Sequence, residues 1–140
     1  MRTSRVAAVA ALLTAPVLLV GCSSSSSKGA EPSSTPAPEE VTTSPQAVTA
    51  GLQQIEVIAK DVQSKIADKA AATKADAGIE AVWSTIEGTV KKNDADTYLA
   101  FEDAFALLED AASSGDATKA GSAVTSITKT KTAYLAKYSS

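Results

Sequence analysis

Chemistry in this 140-residue chain has to be built from carboxylates, hydroxyls, lysines and one thiol, because histidine is absent and Cys22 is the only cysteine. Without imidazole, the commonest general base, the usual zinc ligand and the pH switch of neutral solution are all missing. A lone thiol excludes an intrachain disulfide and a thiolate metal cluster. The chain has no Gly-x-Ser-x-Gly elbow, Gly-rich phosphate loop, haem-attachment motif or calcium loop. Ser27-Lys28 and Ser64-Lys65 are adjacent pairs that lack the helical spacing of a Ser–Lys dyad. This inventory argues against an enzyme. Two features remain: Cys22 itself, and four glutamates, Glu80, Glu87, Glu102 and Glu109, spaced seven residues apart within each pair.

Cys22 closes a patterned leader. Arg2 and Arg5 make the first residues basic, and residues 6–20 are apolar apart from Thr14 and Pro16. That run is short for a membrane span and fits the apolar segment of a secretory signal. It ends in Leu19-Val20-Gly21-Cys22, which is similar to the bacterial lipobox. The resemblance implies diacylglyceryl transfer to the Cys22 thiol and cleavage after Gly21. Residues 1–21 are then expected to be a lipoprotein signal peptide. The mature chain would sit on the extracytoplasmic face of the cell membrane, its partner there being membrane lipid reached through acyl chains such as palmitate on Cys22. Two or three such chains hold firmly where one does not.

Removing Arg2 and Arg5 lowers the 13 basic residues to 11 against 16 acids, a formal charge of −5. An acidic chain without a basic patch argues against nucleic acid as a partner. Residues 22–45 carry the lipidated Cys22, a serine run and Pro32, Pro36, Pro38 and Pro45, with almost nothing large and apolar. Such a segment cannot offset the entropy of ordering by burying surface, so it is expected to be a disordered, extended tether. Composition leaves glycosylation of its Ser and Thr residues open.

Residues 46–140 are helical in period. Ser44-Pro45 reads as an N-cap followed by proline at the first helical position. Val48, Leu52, Ile55, Ala59, Val62 and Ile66 form a first apolar stripe, in a helix expected to run to about residue 71. Ile79, Trp83, Ile86 and Val90 form a second, ending at Lys91-Lys92, and Asn93-Asp94 supplies a turn and a cap. Tyr98, Phe101, Phe105 and Leu108 form a third, stopped at Ser113-Ser114-Gly115. Asp116 caps a fourth, with Ala120, Val124, Ile127, Tyr134 and Tyr138. The expected fold is all-α, an up-down-up-down antiparallel four-helix bundle. Its first corner is expected between residues 70 and 76, and Trp83, Phe101 and Phe105 are expected to fill the core.

In heptad terms the four glutamates share one flanking position on the second and third helices. A turn centred near Asp94 would set Glu87 level with Glu102, and Glu80 level with Glu109, along one seam. The two levels lie about 10.5 Å apart. Facing carboxylates repel unless neutralised. Three readings stay open: a bound divalent or ferric cation, pairing with Lys131 at the level of Tyr98, or a seam facing solvent.

Ala81-Val82-Trp83-Ser84-Thr85-Ile86-Glu87, then Val90-Lys91, Asp94, Asp96, Tyr98, Phe101-Glu102-Asp103 and Gly115-Asp116, resemble the helical repeat of extracytoplasmic proteins in bacterial iron uptake. That group includes imelysin-type lipoproteins and the exported amino-terminal region of some iron permeases, and the resemblance covers residues 80–138. The imelysin His-x-x-Glu metal motif is absent, so the resemblance implies a metal role only for Glu87 and Glu102. Two functions follow as expectations. One is a non-enzymatic helical binding or adaptor module that docks another cell-envelope protein or senses a solute, and needs no cofactor beyond its lipid. The other is an accessory in uptake of iron or another cation, using the acidic seam.

Overall fold

A computed structural model describes residues 42–140, so the expected signal peptide, Cys22 and the expected tether up to residue 41 lie outside the described residues. The described residues form five helices and no strand: α1 (Pro45–Ser64), α2 (Lys69–Trp83), α3 (Glu87–Asn93), α4 (Ala95–Ser114) and α5 (Ala117–Tyr138). No described helix is long and apolar enough to cross a membrane.

Four helices begin as side-chain chemistry requires. Ser44 accepts from the Ala47 amide with Pro45 behind it, and Asp94 and Asp116 accept from first-turn amides of α4 and α5. Asp68 does the same for α2 by accepting from Ala71. At its other end α4 stops at Gly115, whose φ of 76° suits a residue without Cβ.

The first corner differs from expectation. It lies at residues 65–68, ahead of the anticipated 70–76, because Ser64 and Lys65 unwind the end of α1 and Asp68 opens the next helix. The Ser64 hydroxyl donates to the Asp61 carbonyl at 2.7 Å, the Lys65 ammonium bonds the Asp61 carboxylate at 2.6 Å, and the Asp68 amide closes a turn on Lys65 at 2.8 Å.

The second helix is in fact two. After Trp83, the Thr85 hydroxyl donates to the Val82 carbonyl at 2.7 Å. The Thr85 and Ile86 amides meanwhile reach only three residues back, to Val82 and Trp83. This tight turn ends α2 and restarts the chain as α3. Ile86 is buried there, and Gly51 of α1 lies against it so closely that a Cβ would meet Ile86 Cδ1 at 2.9 Å.

Around the core, α1 packs on α2 and α5, α4 packs on α5 and α2, and α3 packs on α4. Contacting pairs run in opposite directions along each pair of helices: Gly51 with Ile86 and Gly78 with Ile58, Asp94 with Lys137 and Asp110 with Lys119. Every member of the first two stripes is buried, as are Phe101, Leu108, Ile127 and Tyr134. Alanines 59, 72, 104, 111, 112, 120 and 123 fill the close approaches between helices.

Where the chain enters α1, the Thr43 amide donates to the hydroxyl of buried Thr89 on α3 at 2.7 Å. The α3–α4 turn at the same end is pinned by α5. Asn93 Nδ2 donates to the Tyr134 hydroxyl at 2.8 Å, and the Tyr138 hydroxyl donates to the Asn93 carbonyl at 3.1 Å. Burial raises the Tyr134 pKa above the usual range.

Candidate functional site: an acidic cleft between α2 and α4

Trp83 at the end of α2 and Phe105 on α4 form the apolar floor of a cleft of about 390 Å³. Asp76, Glu80, Glu102 and Glu109 surround it. Helical period explains the grouping, since Asp76, Glu80 and Trp83 recur on one face of α2 and Glu102, Phe105 and Glu109 on one face of α4. The floor is an aromatic cluster. Trp83 stacks on Tyr98 at 5.7 Å, tilts against Phe101 at 5.3 Å and meets Phe105 edge-on at 5.1 Å. With 2 % of its surface exposed, Trp83 is a core residue as expected. It also has a polar task, for its indole Nε1 donates to Glu102 Oε1 at 2.6 Å.

Levels along the two helices differ from those counted through a continuous helix. Trp83, rather than Glu87, meets Glu102, and the carboxylate that feels Glu109 is Asp76. Glu80, Glu102 and Glu109 are nevertheless brought to one cleft, while Glu87 begins α3 outside its lining. Glu87 and Glu102 both act on Tyr98. Burial first, and then these two charges, hold its hydroxyl above the ordinary tyrosine range.

Asp76, expected in a corner, lies inside α2 and lines the cleft. Four residues before Glu80, it lies on the same face of α2, and that spacing was the available signal. Half-buried, it has its pKa pushed up to about 6, by burial first and then by the charge of Glu109. The cleft thus concentrates negative charge beside aromatic faces. Such a site favours ammonium and guanidinium groups through carboxylate pairing. Among the described residues, no group of three or more Asp, Glu, His or Cys could hold a metal ion.

Lys131 does not join this seam. It lies between α5 and α1, where it pairs with Glu56, and Lys60 reaches the same carboxylate at 2.7 Å while Thr128 donates to it at 3.1 Å. These donors, Lys131 foremost, lower the Glu56 pKa to about 2. Lys131 sits on the surface of α5 that faces α1, away from the Tyr98 level of α4. No family model, curated protein or solved structure matches the chain.

Proposed function

We propose that this protein is an exported lipoprotein, held on the extracytoplasmic face of the cell membrane by lipid on Cys22, which presents a small non-enzymatic binding module. The basic start, the apolar run and Leu19-Val20-Gly21-Cys22 support the anchor, and the Ser/Pro-rich tether would hold the module off the surface. The module reads as an up-down-up-down four-helix bundle whose second arm is α2 and α3 in series. The opposed directions of its contacting pairs support that reading.

Its ligand, in this proposal, is a cationic group, such as a lysine or arginine side chain on another cell-envelope protein. The observation that carries this is the gathering of Asp76, Glu80, Glu102 and Glu109 around the Trp83–Phe105 floor. Titrating the full chain with a lysine-rich peptide should quench Trp83 fluorescence. The Asp76→Asn, Glu109→Gln variant should lose that response, and an unchanged response would refute the cleft as the site. For the anchor, Cys22→Ala should abolish fatty-acid labelling, and equal labelling of the variant would sink the lipoprotein reading.

The second reading is cation handling in an uptake system. It draws on Glu80, Glu102 and Glu109 lining one cleft, where, with no three described carboxylates placed to hold an ion together, one or two of them would bind it. All-oxygen donors suit a hard ion, with water completing the coordination. Under this reading added cation raises the melting midpoint of the wild type and leaves a Glu80→Gln, Glu109→Gln variant unmoved.

A further inference from the structure

A second groove, of about 680 Å³, runs between α4 and α5 on a face the acidic cleft does not use. Its walls differ in charge. Asp96 and Asp103 stand on α4, and Lys129 stands on α5. All three are exposed, and among the described residues no ion pair joins any of them to another side chain. Between the walls, Ala100 and Ala133 present little bulk, so another helix can approach closely. We infer that this face is a self-association surface, on which a second copy of the chain docks about a twofold axis parallel to the helices.

The argument rests on symmetry and register. Rotation about an axis along the groove lays α4 of one copy on α5 of the other and keeps every residue at its own level. The pairs Asp94–Lys137 and Asp110–Lys119 fix which levels of α4 and α5 coincide. By that register Asp103 lies within about a turn of Lys129. Asp103 of each copy therefore meets Lys129 of the other, twice per dimer. The alternative axis, across the groove, would set α4 on α4 and oppose acid to acid. The favoured arrangement also places both Thr43 segments at the same end, as two chains tethered to one surface require. The inference itself does not depend on the anchor or on the cleft. An interface of this polarity is weak and salt-sensitive, because exposed charges are screened over about 10 Å at 0.1 M salt.

The test uses two differently tagged forms of the full chain, mixed at low salt and joined by a lysine-reactive cross-linker. Cross-linked mixed dimer is then measured. Wild type should give mixed dimer that falls severalfold when salt is raised. Lys129→Glu alone and Asp103→Lys alone should each lose it, while circular dichroism confirms that both remain helical. Mixing Lys129→Glu with Asp103→Lys should restore it, since each new charge then meets its opposite. A wild type that stays monomeric overturns the inference and leaves the face to a different partner. Dimer that persists in each single variant, or is not restored in the mixture, overturns it as well.

Discussion

Asp76 and Glu56 show how one carboxylate weakens this fold while another strengthens it. The Asp76 pKa is raised from 3.8 to about 6 in the folded chain, so the folded state holds its proton more tightly than the unfolded state. Stability from this group is therefore present below about pH 4 and is lost as pH rises through 6. Asp76→Asn should raise stability at pH 7 by about 1 kcal/mol after allowance for solvent screening, and make no difference near pH 3.5. Melting curves across that range check the sign. For Glu56 the pKa is lowered from 4.5 to about 2, so its contribution is present above pH 4.5 and fades as pH falls toward 2. Lys131→Met should cost about 1 kcal/mol at pH 7 and nothing at pH 2, measured the same way. Trp83 combines packing with a hydrogen bond. Trp83→Ala should cost about 3–5 kcal/mol, whereas Trp83→Phe keeps part of the packing and loses the bond to Glu102, about 1 kcal/mol in denaturant unfolding.

At the scale of the helices, the turn from Ser84 to Ile86 organises one side of the molecule. It ends α2 at Trp83, aims the indole at Glu102 and turns Ile86 onto α1. Gly51 is the residue that admits Ile86, for any Cβ there would press on the Ile86 side chain, with Cγ2 at 3.1 Å. Gly51→Val should destabilise by about 1–3 kcal/mol through overpacking. Trimming the facing residue by Ile86→Val should recover part of that loss in a double-mutant cycle. Additive effects would show that the two residues do not press on each other. This turn was invisible to periodicity because Ile79, Trp83, Ile86 and Val90 keep their spacing through it, and all four end up buried. A stripe reports which side is apolar. Two hydroxyls competing for backbone carbonyls can break the helix without disturbing that stripe.

For the molecule as a whole, the end near Thr43 is the better fastened, with Thr89, Asn93, Tyr134, Tyr138 and Lys137 joining the incoming chain, the α3–α4 turn and the end of α5. The anticipated tether reached Pro45, yet Thr43 is bonded to α3 and Pro45 opens α1. A fragment of residues 42–140 should accordingly be strongly helical and unfold in a single cooperative step. A fragment beginning at residue 44, which keeps the Ser44 cap, should melt lower, because Thr89 Oγ1 loses its backbone partner. Circular dichroism on the two fragments checks this, and equal midpoints would show that the Thr43 contact contributes nothing.

Local chemistry was readable in the sequence. Ser44, Asp94, Gly115 and Asp116 announced helix ends because capping depends on a side chain and the backbone beside it. The buried stripes were readable because apolar spacing encodes a face. Asp68 followed the same capping rule and was overlooked, as the alanine-rich run around it reads as continuous helix. Levels between helices were a different matter. Setting Glu102 against Trp83, Asp76 near Glu109 and Lys131 on Glu56 required knowing where α2 breaks and which neighbour each face of α5 meets. Those are properties of packed helices in three dimensions, decided by Ile86 against Gly51 and by the order of helices around the core, and no spacing along one helix contains them.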